Sequence, residues 1–106
     1  MSRGEIWWAN LPNPWGRRPV LLLARNEAYQ VRTWLVAAPI TTRIRPIRSY
    51  VSLDPDRDHM PEPCAIQLDN LQAVHRDRLD RVITRLSASR MVEVEEAIHF
   101  SLALDK

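Results

Sequence analysis

Two polar pairs stand at the ends of apolar runs and could together bind a phosphodiester. Arg17 and Arg18 precede one run, and Thr41 and Thr42 follow another. An arginine fork donates parallel hydrogen bonds to phosphate oxygens, and a threonine hydroxyl donates one more. Because Pro19 biases the preceding residue toward an extended conformation, Arg18 should leave the start of its strand in a defined direction. The pattern indicates a site that could hold a phosphodiester, although an Arg-Pro before a strand is common and a Thr pair favours strands in any case.

The sequence carries no motif for a metal or a cofactor. It has no HExxH, no CxxC and no glycine loop that could cradle a phosphate. Asp54, Asp56 and Asp58 resemble the start of a calcium loop, but the glycine at its sixth position and the glutamate at its twelfth are missing. We therefore expect no metal and no cofactor. Cys64 is the single cysteine, and we expect a small buried strand residue rather than a nucleophile.

The charge is divided unevenly between the two halves of the chain. Residues 1–53 have eight arginines against two glutamates, a net charge of +6, whereas residues 54–106 have a net charge of −4. A basic half favours a polyanion such as RNA, or an acidic partner protein, although an uneven division also arises by chance. Every positive side chain except Lys106 is an arginine, the residue that suits bidentate contacts with phosphate.

Length and hydropathy limit the organisation of the chain. At 106 residues it is expected to form one domain, residues 1–106. Its apolar runs are far shorter than the roughly 20 residues that a membrane-spanning helix needs. No secretory leader pattern opens the chain, and the single cysteine fits a reducing compartment. We expect no membrane association and a cytoplasmic location.

Most of the chain predicts short strands. Strand-like runs cover residues 5–11, 19–24, 33–40, 48–53, 64–68, 71–74 and 82–86. The predicted connections are turns at 12–16 and 26–30, a proline-rich loop without regular structure at 54–63, and one or two helical turns at 75–81.

The C-terminal segment has the periodicity of a helix. Ser87 can cap its N-terminus. Apolar residues then recur at three- and four-residue spacing and form one stripe, which should pack on the core: Met91, Val94, Ala97, Ile98 and Leu102. Short curved strands with one closing helix predict an α+β domain. A small bent barrel is the economical arrangement, because closure removes exposed strand edges.

Five segments occur in an order that points to a family. They are residues 4–7 (GEIW), 18–21 (RPVL), 38–42 (APITT), 69–74 (DNLQAV) and the terminal helix. In this order they resemble the MazF/PemK-type toxin endoribonucleases, and the resemblance covers nearly the whole chain. It implies a small SH3-like antiparallel β-barrel of the MazF/CcdB toxin type, with a C-terminal helix, that works as a homodimer.

The resemblance also implies an activity and a partner. The protein is expected to be the toxin of a type II toxin–antitoxin system, inhibited by a cognate acidic antitoxin. It should cleave single-stranded RNA at short sequences, independently of ribosomes and of metals. The catalytic arginine of the family falls on Arg18, and its catalytic threonine falls on Thr41. Attack by the 2′-hydroxyl on the adjacent phosphate would leave a 2′,3′-cyclic phosphate and a 5′-hydroxyl.

Several assignments stay open at this point. RNA contacts are expected from Trp15, Arg17, Thr42, Arg43 and Gln72. The turn that holds Trp15 is shorter than usual in the family, so its ring either stacks on a base or packs against the dimer partner.

Arginine is a poor general base at neutral pH, which leaves the proton acceptor unassigned. His75 is either a participant or a helix cap. A gyrase-binding toxin of the same fold and a plain RNA-binding barrel are the alternative functions.

Overall fold

The computed structural model describes residues 1–104. Seven strands alternate with short connections, and the chain ends in its longest helix. The strands are β1 Glu5–Leu11, β2 Gly16–Leu22, β3 Trp34–Thr41, β4 Tyr50–Leu53, β5 Cys64–Gln67, β6 Gln72–His75 and β7 Leu79–Arg85. The helices are α1 Ala28–Val31, α2 Pro55–Asp58 and α3 Ala88–Ser101, and Arg76–Arg78 forms a single 3₁₀ turn.

The strands form one strongly curved antiparallel sheet. Their order is β4-β5-β3-β2-β1-β7, and β6 pairs with β3 beside this path. The central strand β3 therefore contacts β2, β5 and β6 at different points along its length. The register between β1 and β7 shifts on either side of Trp7 and Trp8. Such bulges increase the local twist of a strand and bend the sheet around its core.

The apolar core lies on both faces of the sheet. Leu21 belongs to the cluster beneath α3, whereas its neighbours Val20 and Leu22 belong to a second cluster on the opposite face. All three side chains have no exposed surface. Burial on both faces explains why β2 has a continuous apolar sequence instead of an alternating one.

Helix α3 covers the first cluster and begins at the predicted cap. The Ser87 hydroxyl accepts the backbone N–H of Arg90 at 3.2 Å. Val94 and Ala97 of the predicted stripe are buried. Leu102 is 52% exposed and lies beyond the last helical residue, so the prediction that it joins the stripe is wrong.

Two predicted connections contain short helices. The segment predicted as an irregular proline-rich loop includes α2, because Asp54 caps that helix and proline is tolerated in a first turn, where its missing N–H would have no partner. The segment predicted as a polar turn at 26–30 leads into α1. His75 caps the 3₁₀ turn, since its Nδ1 accepts the backbone N–H of Asp77 at 3.1 Å.

The predicted fold class is confirmed with one correction. The antiparallel sheet and the C-terminal helix are present, but within residues 1–104 the strand path is open, with β4 at one end and β7 at the other. The register shifts of β1 curve the sheet toward a barrel without joining these edges. Among residues 1–104, no helix has both the length and the apolar character to cross a membrane.

Candidate active site

The start of β2 and the end of β3 meet at one side of the sheet. The two strands are antiparallel, with Val20 opposite Pro39. This is the last pair of the ladder at that end, and Arg18 and Thr41 each lie two residues beyond it, near the ends of their strands. Both side chains therefore emerge from rigid strand ends rather than from loops, which favours a precisely held site.

A cleft of about 250 Å³ opens at this point. It has three walls: the first residues of β2, the last residues of β3, and the segment between α2 and β5. The residues that line it are Trp8, Arg17, Arg18, Pro19, Ile40, Thr41, Thr42, Met60, Pro61, Glu62 and Cys64. The structure thus brings together four residues predicted for the site, Arg17, Arg18, Thr41 and Thr42.

The Arg18 guanidinium lies against an aromatic ring and has no acidic partner within residues 1–104. Its Cζ lies 5.3 Å from the centre of the Trp15 ring, a cation–π distance. Its Nε is buried and has no hydrogen-bond acceptor among residues 1–104. The positive charge of Arg18 is therefore not neutralised by any carboxylate in the part of the chain that the structure describes.

Thr41 is oriented by the backbone that follows it. Its Oγ1 accepts the backbone N–H of Arg43 at 3.1 Å. Because that oxygen is already an acceptor, the hydroxyl hydrogen remains available as a donor. Thr42 is exposed and lines the same cleft. The site therefore offers hydroxyl and guanidinium donors from two neighbouring strands.

Arg17 has partners that Arg18 lacks. It donates to Asn10 Oδ1 at 3.1 Å and pairs with Asp80 at 2.9 Å, and its Cζ lies 5.0 Å from the Trp8 ring. The pair with Asp80 is exposed on both sides, and such pairs contribute little free energy. An incoming phosphate could therefore displace Asp80 at small cost.

Two of the predicted RNA contacts lie in a neighbouring depression. Trp15 and Gln72 line a second space of about 260 Å³, together with Trp34, His75 and Arg78. Trp15 stands between the two spaces, because its ring also covers the guanidinium of Arg18. Arg43 is exposed and lines neither space. The structure thus divides the predicted RNA residues between the cleft, the depression and open surface.

The buried thiol of Cys64 forms part of the cleft. Cys64 is 3% exposed and belongs to the core cluster beneath α3, which confirms its prediction as a buried strand residue. Burial, reinforced by the charges of Glu62 and Asp58, raises the pKa of Cys64 to about 11. At neutral pH the thiol is protonated and is a poor nucleophile.

Comparison with known proteins decides the family. The sequence profile of the PemK-like, MazF-like toxins of type II toxin–antitoxin systems matches residues 2–102. The chain belongs to this family. A probable endoribonuclease, MazF5 of Mycobacterium tuberculosis, is 35% identical over 101 residues, which cover 95% of this chain and 92% of that protein.

Solved structures have the same fold. The Mycobacterium tuberculosis toxin MazF-mt6 matches with a TM-score of 0.86 and 32% identity, over 96% of this chain and 99% of that one. A mycobacterial endoribonuclease in complex with its cognate antitoxin has the same TM-score at 22% identity, over 100% of this chain and 98% of that one. This MazF-like toxin is therefore alike in fold to relatives across nearly its whole length.

The third wall of the cleft was not predicted from the sequence of this MazF-like toxin. Met60, Pro61 and Glu62 come from the segment predicted as a loop without regular structure. A capping aspartate directly before a proline, Asp54-Pro55, was the available signal that the segment starts with a helical turn. His75 lines the second depression and not the cleft, so the hypothesis that it takes part in catalysis loses its geometric basis.

Proposed function

We propose that the cleft cleaves single-stranded RNA by transesterification at phosphorus. Membership of the family makes this chain a toxin endoribonuclease of a type II toxin–antitoxin system. The observation that carries the mechanism is that the Arg18 guanidinium, which pairs with no carboxylate among residues 1–104, lines the same cleft as the oriented hydroxyl of Thr41. A buried donor without an acceptor costs about 1–3 kcal/mol. An anionic phosphate bound against Arg18 would supply the missing acceptor.

The reaction adds negative charge to the phosphate, and the cleft supplies donors for that charge. The 2′-hydroxyl attacks the adjacent phosphorus, and the bond to the 5′-oxygen breaks. Arg18 donates to a non-bridging oxygen, and Thr41 donates to the same phosphoryl group. The chain's own residues supply these donors without a metal. The products are a 2′,3′-cyclic phosphate and a 5′-hydroxyl.

The residues around the cleft describe a path for the RNA strand. Arg17 and Thr42 flank the reacting phosphate in the cleft. Trp15 separates the cleft from the second depression, so its ring can stack on a base while the strand continues toward Gln72. Arg43, on the surface beyond Thr42, contacts a neighbouring phosphate. Single-strand binders combine cations and aromatic rings in this way.

A cognate antitoxin is the second proposed partner. A related mycobacterial endoribonuclease is known in complex with its cognate antitoxin. The basic N-terminal half of this chain suits an acidic segment that covers Arg18 and Arg43 in place of RNA phosphates. Antitoxin binding and RNA cleavage should then exclude each other. We propose the cytoplasm as the location, since RNA and antitoxin both occur there.

We also propose a homodimer. The face formed by α1 and the start of β3 exposes three apolar side chains: Val31 is 78% exposed, Trp34 57% and Val36 47%. Monomeric proteins rarely leave large apolar groups adjacent on the surface. A second copy of the chain would cover them, and it would come close to Trp15 through the depression that Trp34 also lines.

The test is cleavage of a labelled RNA transcript by the purified protein in EDTA. We expect discrete fragments whose 3′ ends resist ligation until the cyclic phosphate is removed. Fragments that appear only after magnesium is added would contradict the proposed chemistry. Tight binding without cleavage would favour the plain RNA-binding module, and an absence of both would favour the gyrase-binding toxin.

A further inference from the structure

The proposed reaction needs a group that accepts the proton of the attacking 2′-hydroxyl. Arg17 and Arg18 are unsuitable, because arginine stays protonated at neutral pH. Cys64 is unsuitable too, because its pKa is raised to about 11 and its thiol therefore keeps its proton. None of the three histidines, all of which the structure describes, lines the cleft. Among the lining residues that the structure describes, one carboxylate remains, that of Glu62.

Glu62 is exposed and has no competing partner. Within residues 1–104 it makes neither a hydrogen bond nor an ion pair, although arginines and hydroxyls line the same cleft. Pro61 and Pro63 flank it and restrict the backbone on both sides. Among residues 1–104, Glu62 is thus an unpaired acceptor on a stiff segment, and it lines the same cleft as residues of β2 and β3.

The segment that carries Glu62 is anchored at both ends. Before it, Met60 is 5% exposed in the core cluster beneath α3, and Asp58 forms a buried bidentate pair with Arg90 of that helix, with both distances 3.0 Å. After it, Cys64 begins β5 and is buried. These contacts hold the wall of the cleft in place without involving the Glu62 side chain.

We propose that Glu62 is the general base of the reaction. This inference rests on the proposed function. The Glu62 carboxylate takes the proton of the 2′-hydroxyl as the 2′-oxygen forms its bond to phosphorus. The bond from phosphorus to the 5′-oxygen breaks, and that oxygen takes a proton from water at the cleft mouth. Glu62 then returns its proton to solvent, and the carboxylate is ready for another cycle.

The charged groups around Glu62 are mostly cationic. Arg17 and Arg18 of β2 line the same cleft, and Cys64 of β5 contributes a neutral thiol. On the α2 side Asp58 is paired with Arg90. Among the described lining residues, Glu62 therefore shares the cleft with no second carboxylate.

The test compares Glu62→Gln, Glu62→Asp and the wild type in single-turnover cleavage of an RNA oligonucleotide that spans one mapped cut. Asp56→Asn is the matched control, because Asp56 is an exposed carboxylate on α2 that lies outside the cleft. We expect Glu62→Gln to lower the rate by about 10²–10⁴-fold, the usual contribution of a general base. Glu62→Asp should keep part of the rate, and Asp56→Asn should keep nearly all of it.

Two further measurements separate a base from a structural residue. The Glu62→Gln rate should rise with pH more steeply than the wild-type rate, by about tenfold per pH unit, as hydroxide replaces the carboxylate. The second measurement is the affinity for the same oligonucleotide with a 2′-methoxy group at the cut. Glu62→Gln should bind it as tightly as the wild type or more tightly, because the substitution removes a negative charge from the site that binds the phosphate.

These measurements distinguish a failure of the role of Glu62 from a failure of the proposed function. A wild-type protein that cuts RNA, together with a Glu62→Gln variant of similar rate or of flat pH profile, overturns the role of Glu62 alone. Weaker binding with an unchanged cleavage step would also overturn it, because Glu62 would then be a binding residue. A wild-type protein that cuts no RNA overturns the proposed function as well.

Discussion

Replacing Asp58 with alanine should destabilise the protein more than any change at an exposed carboxylate. Its side chain is 3% exposed, and that of Arg90 is 10% exposed. Asp58 accepts two hydrogen bonds from the Arg90 guanidinium at 3.0 Å and the backbone N–H of Asp54 at 2.8 Å. The substitution leaves a buried guanidinium and a backbone donor without these acceptors.

The size of this loss of stability follows from the hydrogen-bond partners that Arg90 keeps in Asp58→Ala. Removing one member of a buried ion pair costs about 3–5 kcal/mol. Glu93 still accepts from Arg90 at 3.1 and 3.2 Å, so the lower end applies, about 3 kcal/mol. For 106 residues the entropy of unfolding is about 0.22 kcal/mol per kelvin, so the melting temperature should fall by about 13 °C.

The loss of stability in Asp58→Ala should become smaller as the pH falls. Burial alone would raise the pKa of Asp58, but the hydrogen bonds from Arg90 and Asp54 and the charges of Arg90 and Arg57 lower it below the ordinary value. When folding lowers the pKa of a carboxyl, its ionised form stabilises the protein at pH values above the pKa in the unfolded chain, about 3.9. This stabilisation is lost as the pH falls through the pKa in the folded protein. The difference between wild type and Asp58→Ala should therefore shrink in acid.

Thermal melts by circular dichroism, from neutral pH down to about pH 3, measure this difference directly. Asp56→Asn, in the same helix but exposed, should shift the melting temperature little. The double variant Asp58→Leu with Arg90→Met should recover much of the loss, because no unpaired charge remains buried. A fall of under about 3 °C in Asp58→Ala, or a difference that does not change with pH, would show that the pair of Asp58 and Arg90 does not stabilise the fold as described.

Substitutions at three other positions test neighbouring parts of the site and fold. Thr41→Val removes one phosphate donor at nearly constant volume and should lower kcat by about 10²–10³-fold in the same cleavage assay. Trp15→Ala should weaken RNA binding by about 1–3 kcal/mol in a fluorescence titration, while Trp15→Phe keeps most of the affinity. Ser87→Ala removes the cap of α3 and should cost about 1 kcal/mol in a denaturant melt.

Much of the fold could be predicted because its signals are local. The alternation at β1 predicted the bounds that the structure has, residues 5–11. The continuous apolar run of β2 predicted burial, which the two core clusters confirm. Whether the sheet closes was harder to predict. It depends on twist accumulated over seven strands and on bulges in β1, and no single residue type in the sequence indicates such bulges.

Part of the site could likewise be predicted from local sequence signals, and part could not. Arg18 and Thr41 lie near the ends of β2 and β3, which the apolar runs predicted, and the family resemblance named both residues. The wall that contains Glu62 depends on the pair between Asp58 and Arg90, which are 32 residues apart. A contact between such distant charges leaves no periodicity in the sequence. The third wall therefore became visible only in the folded chain.

The most direct test of the account is the cleavage rate of Arg18→Ala and Arg18→Lys. Arg25→Ala is the control, because Arg25 is an exposed arginine outside the cleft. We expect Arg18→Ala to lower kcat by at least about 10²-fold without lowering the melting temperature, and Arg18→Lys to restore little, since a point charge lacks the bidentate fork. An Arg18→Ala protein that cuts RNA at the wild-type rate would contradict the proposal that Arg18 stabilises the reacting phosphate.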